Sequence, residues 1–196
     1  MNVGLLFSGG KDSSLAALLL DGFYEVHLET AHFGMTDDWR HAERTAEKLG
    51  LPFDTLELDE TIAEDAVDRM IEDGYPRNGI QAVHMAALEA IAREGYDAVA
   101  DGTRRDDRVP TVSRAHAQRL EDTYDIDYIA PLSGFGRSAV DALVERHFDV
   151  TIGPSATIDR ADYEAELRAL IETREGKEAI DDIFPDHEQT AVIGRR

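Results

Sequence analysis

Apolar positions follow two alternating rhythms along the first 150 residues of this chain. Residues 3–7 are a short, mostly apolar run ending in a glycine-rich turn, the pattern of a buried strand. Residues 12–20 are apolar almost all round, which predicts a helix covered on several sides. Residues 26–33 mix apolar and polar positions as a second strand. Trp39, Ala42, Ala46 and Leu49 then share one face of a helix that Gly50 and Pro52 stop. Residues 53–58 alternate as a third strand. Ile62, Ala66 and Met70 line up on a helix over 61–73. Val83, Ala87, Ala90 and Ile91 do so on another over 80–93, which Asn78 caps. Residues 98–100 belong to a fourth strand, and 128–132 carry the end of a fifth.

Strands alternating with helices of this length make βαβ units. Their right-handed crossovers predict an α/β, doubly wound, Rossmann-like fold: a five-stranded parallel sheet with helices on both faces. After about residue 150 the rhythm changes. Residues 159–175 read as one amphipathic helix with Tyr163, Leu167 and Leu170 aligned, followed by a polar tail holding Pro185 and Gly194. We expect a nucleotide-binding domain over 1–150 and a C-terminal helical extension over 151–196 packed on it.

The 196 residues carry 20 Lys and Arg against 41 Asp and Glu, a net charge of -21. Lysine stands only at Lys11, Lys48 and Lys177. Such a surface argues against passive electrostatic binding to nucleic acid or anionic membrane. It is similar to the proteins of salt-in halophiles, where salt screens the self-repulsion. There is no cysteine, which excludes disulfides, thiolate zinc and a thiol nucleophile. The seven histidines fall in no metal-binding spacing. MNVGLLF lacks the basic region of a signal peptide, and no apolar run approaches a membrane span, so we expect a cytoplasmic protein without a membrane partner.

Chemistry concentrates in the loop after the first strand, Ser8-Gly9-Gly10-Lys11-Asp12-Ser13. A doubly wound sheet binds ligands at this edge. Two glycines admit an anion close to the backbone, and the following helix aims N–H groups and its positive dipole end at the same point. Ser8 and Ser13 add hydroxyls and Lys11 adds a mobile charge. Asp12 beside phosphates calls for a divalent cation between them. This is not the Walker P-loop, because Leu5 stands where that pattern needs glycine.

SGGKDS after a first strand resembles the PP-loop of the ATP pyrophosphatases, the adenine nucleotide alpha-hydrolase-like members of the HUP-type nucleotide-binding superfamily. The resemblance implies cleavage of ATP between its α and β phosphates, with magnesium, to adenylate an acceptor oxygen. The acceptor is a tRNA base carbonyl or a small carboxylate. AMP is then displaced by nitrogen or sulfur from a donor in trans. It assigns Phe7, Ser8, Gly9, Gly10, Lys11 and Ser13 to the nucleotide, Lys11 to catalysis, and Asp12 to catalysis and the metal. A homodimer is the default that it implies. The alternative is a non-catalytic adenine-nucleotide-binding or regulatory module on the same fold.

Further sites follow from the same resemblance. The second strand ends in Ala31-His32-Phe33-Gly34, where Phe33 stacks on adenine and His32 is either near it or a neutral bystander. The fourth strand runs into Asp101-Gly102-Thr103-Arg104-Arg105-Asp106-Asp107-Arg108. Gly102 and Thr103 would meet phosphates or ribose, and Arg104 would act in catalysis. The aspartates bind magnesium, Asp107 with Asp12, or hold an amine substrate. The bland reading is a solvated loop of mutually neutralising charge. Gly134-Phe135-Gly136-Arg137-Ser138-Ala139 fits a dinucleotide fingerprint but follows a late strand, so it reads as a tight turn with Arg137 near the substrate. His84 and Met85 read as core or surface.

Overall fold

The computed structural model describes residues 1–154, 161–185 and 188–196. In chain order it contains β1 (Asn2–Leu6), α1 (Lys11–Leu20), β2 (Glu25–His32), α2 (Arg40–Leu49), β3 (Phe53–Glu57), α3 (Glu60–Asp73), α4 (Arg77–Ala92) and β4 (Ala98–Ala100). There follow α5 (Arg114–Tyr124), β5 (Asp127–Ile129), α6 (Arg137–His147), β6 (Phe148–Pro154), α7 (Tyr163–Glu175), α8 (Lys177–Ile183) and β7 (Glu188–Arg195). Among the described residues β1–β5 form a parallel sheet in the order β3-β2-β1-β4-β5. This is the doubly wound, Rossmann-like arrangement with helices on both faces.

Side chains that alternate along each strand divide the interior into two cores. Val3, Leu5 and Phe7 face the core shared with α1, α2 and α6, while Leu6 turns to the one shared with α3, α4 and α7. Leu5 sits in register between Leu28 of β2 and Ala100 of β4, and all three are fully buried. The sheet reverses direction of growth between β1 and β4, so the loops after these strands border one crevice.

Three local expectations change. Asn78 does not cap α4: Pro76 holds that position, and the Asn78 amide donates to Asp73 at 2.8 Å. The helices α5 and α6 were not legible in the apolar pattern, because α5 buries Leu120 and α6 buries only Val140 and Val144. The last segment is more than a helical extension with a tail. The helix starts at Tyr163 behind its N-cap Asp162, while the expected start at Asp159 lies outside the described residues. Glu188–Arg195 is a strand paired antiparallel with β6, with Val192 opposite Val150.

The segment after residue 150 belongs to both cores. Leu167, Ile171, Ile183 and Phe184 join the α3–α4 side, and Val192 joins the α1–α2 side. Among the described residues no helix is long and apolar enough to cross a membrane.

Candidate functional site

A cleft of about 1080 Å³ opens at the carboxyl edge of the sheet, a volume suited to a small-molecule or cofactor site. Its floor is the loop after β1. Gly10 is the N-cap of α1 and has no side chain to close the helix, so the first-turn N–H groups are left for a ligand. Ser8 and Ser13 face each other with hydroxyl oxygens 3.3 Å apart, and the Ser13 hydroxyl donates to the Gly10 carbonyl at 3.2 Å. Gly9 adopts φ +73°, and a Cβ there would lie 3.2 Å from the Ala42 Cα, so the loop needs glycine to turn under α2. Gly9 is absent from the cleft lining, and its role is conformational.

The C-terminal strand holds this loop from behind. Val192 N–H donates to the Gly9 carbonyl at 3.4 Å, Gly10 bridges Ala191, and the Thr45 hydroxyl donates to the Val192 carbonyl at 3.4 Å. The β-branched run Thr190, Val192 and Ile193 was the only sequence signal for this strand.

Charge is arranged in a chain across the floor. Lys11 Nζ lies 2.6 Å from Asp12 Oδ1 and 3.1 Å from Asp141 Oδ1. Asp12 Oδ2 lies 3.5 Å from Arg104 Nε. Arg104 is gripped by Asp107, whose Oδ1 accepts from Nε at 3.0 Å and from the guanidinium end at 2.5 Å, and whose Oδ2 accepts the Arg104 N–H at 2.7 Å. Burial works against the Arg104 charge, but the Asp107 hydrogen bonds and the nearby Asp12 carboxylate outweigh it and raise its pKa. Both Asp107 oxygens are engaged by Arg104, so Asp107 anchors that guanidinium, and Asp12 is itself engaged by Lys11 and Arg104. Among the described residues no group of three or more His, Asp or Glu is placed to hold a metal. A magnesium ion here would therefore take Asp12 together with ligand phosphates.

The loop after β4 supplies the wall. A Cβ on Gly102 would lie 2.9 Å from the Ser13 nitrogen, so only glycine lets this loop close on the start of α1. Thr103 donates its hydroxyl to Asp101 at 2.7 Å. Asp106 accepts the Arg137 N–H at 2.9 Å in the first turn of α6, and Arg137 and Thr103 both line the cleft. These bonds tie the segment 101–108 to β4 and α6, while Arg105, Asp106 and Arg108 on it are exposed.

Phe33 corrects the adenine-stacking expectation. Its ring is 5% exposed and packs in the core with α3, α4 and α7, away from the cleft. Its N–H is taken at 2.6 Å by the buried Glu166 carboxylate, which also accepts from Met35 at 2.8 Å and Thr36 at 3.2 Å. His32 accepts the Gly34 N–H through Nδ1 and stacks 6.3 Å from Trp39. Phe7 lines the cleft, as do Ala31 and Thr30.

Sequence reasoning missed the group above this floor. Asp101, 1% exposed at the end of β4, accepts from Thr103 N–H at 2.9 Å, His84 Nε2 at 2.8 Å and the Tyr128 hydroxyl at 3.0 Å. Burial acts to raise the Asp101 pKa, but the His84 and Thr103 hydrogen bonds prevail and hold it below the ordinary carboxylate value. On its other side His84 Nδ1 meets the Tyr163 hydroxyl at 3.0 Å. Burial, reinforced by Asp162 and Asp101, raises the Tyr163 pKa and keeps the phenol neutral. Nothing in the apolar rhythm of α4 separates His84 from a core histidine, since its partners come from β4 and α7.

A family model described as a family of unknown function, DUF7411, matches residues 1–194. An uncharacterized protein of Methanocaldococcus jannaschii is 45% identical over 195 residues, which is 99% of this chain and 96% of that one. A crystal structure described as the predicted subunit of tRNA methyltransferase from Methanocaldococcus jannaschii superposes with a TM-score of 0.91 at 43% identity, covering 100% of this chain and 98% of that chain.

Proposed function

The chain belongs to DUF7411, a family of unknown function, and from the geometry of its cleft we propose that it is an ATP pyrophosphatase of the PP-loop type. In this reading it binds ATP with magnesium, splits it to AMP and pyrophosphate, and adenylates an acceptor oxygen before nitrogen or sulfur transfer. The observation that carries the reading is one convergence. The SGGKDS loop, the uncapped N-terminus of α1, Lys11 and Arg104 all border the same cleft at the edge of the central strands.

Ser8, Gly10, Ser13 and the first-turn N–H groups of α1 would hold the pyrophosphate. Lys11 and Arg104 would offset the charge that develops as the α–β bond opens, an electrostatic effect that usually contributes most to such catalysis. Asp12 would hold magnesium, which supplies further charge neutralisation on the phosphates. Gly102 and Thr103 would border the nucleotide from the β4 side, and the backbone at Phe7 and Thr30 would lie against it. The relative described as a predicted subunit of tRNA methyltransferase favours a tRNA carbonyl over a small carboxylate as acceptor, and a partner protein in the working assembly.

The test uses ATP labelled separately at its α and γ phosphates, with magnesium and molar KCl, pooled tRNA, carboxylate metabolites, ammonium and sulfide. We expect AMP and pyrophosphate, reduced on the order of 10²–10³-fold in Lys11→Ala and Asp12→Ala. ADP and phosphate as products would overturn the assignment. Tight ATP binding without cleavage would replace it with the regulatory nucleotide-binding module.

A further inference from the structure

Asp101, His84 and Tyr163 form a continuous hydrogen-bonded chain that reaches the cleft beside Thr103 and Arg104. Its direction follows from its end. An ionised carboxylate only accepts hydrogen bonds, so His84 presents N–H to Asp101 through Nε2, and in the neutral ring that the relay requires the lone pair lies on Nδ1. The Tyr163 hydroxyl therefore donates to Nδ1, and its remaining lone pairs are left for a group in the cleft. Thr103 and Tyr128 occupy the other acceptor positions of Asp101, which fixes the carboxylate. A carboxylate–imidazole pair that orients and charges behind a hydroxyl is the arrangement by which side chains accept protons during nucleophilic attack.

We propose that Tyr163, His84 and Asp101 form a proton relay that deprotonates a nitrogen nucleophile as it displaces AMP from the adenylated acceptor. The inference rests on the ATP pyrophosphatase reading and selects nitrogen over sulfur within it. Hydrosulfide arrives as an anion and needs no base, whereas an attacking amine must shed a proton. Asp162 and Glu164 flank Tyr163 in the same wall, Asp162 as the N-cap of α7 and Glu164 paired with Arg168 at 2.9 Å. In the step, the amine nitrogen bonds to the acceptor carbon and the carbon–oxygen bond to AMP breaks, its electron pair leaving with AMP. The proton on nitrogen passes to the Tyr163 oxygen while the Tyr163 proton passes to His84 Nδ1. The resulting imidazolium is balanced by Asp101. Tyr163 is the residue that touches the nucleophile; His84 and Asp101 act through it.

Two measurements test this. Nitrogen NMR of the whole protein should find the resting His84 proton on Nε2 and the Nδ1 resonance displaced in Tyr163→Phe. A resting proton on Nδ1 overturns the relay whatever the protein's substrate. Second, exchange of radiolabelled pyrophosphate into ATP reports adenylation, and AMP release on adding ammonium chloride reports transfer, both with pooled tRNA present. We expect Tyr163→Phe and His84→Gln to retain exchange but to lose about 10²-fold in ammonium-dependent release. Hydroxylamine, a weaker base whose adduct sheds its proton to water, should restore most of that loss. Exchange and release both unchanged would overturn the relay alone. Release driven by sulfide and not by ammonium would overturn the nitrogen assignment. No exchange in the unaltered protein would overturn the pyrophosphatase reading and the relay with it.

Discussion

A methyl group on Gly102 would lie 2.9 Å from the Ser13 nitrogen, 3.0 Å from its Cα and 3.1 Å from the Asp12 carbonyl carbon. All three are backbone atoms and cannot swing aside as a side chain would. Gly102→Ala should lose about 1–3 kcal/mol in urea unfolding, because it pushes the β4 loop off the floor of the cleft, and under the proposed function it should weaken ATP binding measured by calorimetry. Glu29 shows the opposite kind of strain. It is 2% exposed in β2, and its Oε2 has no hydrogen-bond partner among the described residues. Burial, then repulsion from Asp54 and Glu94, raises its pKa above 4.5 despite the hydrogen bond from Tyr96. A raised carboxyl favours folding while it is protonated, and that contribution disappears as pH rises through the folded value. Glu29→Gln should therefore raise the urea midpoint at pH near 7 and leave it unchanged at pH near 4. Equal shifts at both would refute a charged Glu29 at neutral pH.

At the scale of elements, α7 does more than cover a core. Leu167 and Ile171 are fully buried on one side of it, and Glu166 satisfies three backbone N–H groups of the 33–36 loop. Glu166→Ala leaves these donors unpartnered and should cost about 3 kcal/mol, since hydrogen bonds to a charged group are among the stronger ones. Hydrogen exchange should accelerate first at Phe33, Met35 and Thr36; uniform acceleration across α7 would instead indicate lost packing. The strand–helix order up to β4 was legible from apolar spacing because each of those helices turns several residues inward. The polar helices α5 and α6 escaped notice because so few of their residues are buried. The strand β7 was hidden for a different reason: it is short of apolar side chains, and its place is set by pairing with β6 and by the Gly9 and Gly10 backbone.

For the whole molecule the net charge of -21 over 196 residues sets the response to salt. Ion pairs between distant parts of the chain, such as Arg174 with Asp68 and Arg196 with Asp149, leave most of the negative excess uncompensated. Raising KCl from about 0.1 to 1 M shortens the screening length from about 10 to 3 Å, so the urea midpoint should climb across that range. A flat midpoint would mean that self-repulsion is not what limits stability. Residues after 150 should not be removable, because Leu167, Ile171 and Val192 complete cores that begin in the first strands.

From the sequence alone came the parallel α/β architecture, the glycine-rich loop after β1 and the charged loop after β4. Those features depend on period, on glycine and on residues adjacent along the chain, all of which are local. The tertiary structure decided the rest. It made Asp107 the anchor of Arg104 and put Phe33 in the core. It also tied Val192 to Gly9 and joined Asp101 to His84 and Tyr163 across β4, α4 and α7. A hydrogen bond between residues 79 positions apart leaves no periodic trace in the chain. It exists only because the helices covering one face of the sheet bring those side chains to the same edge.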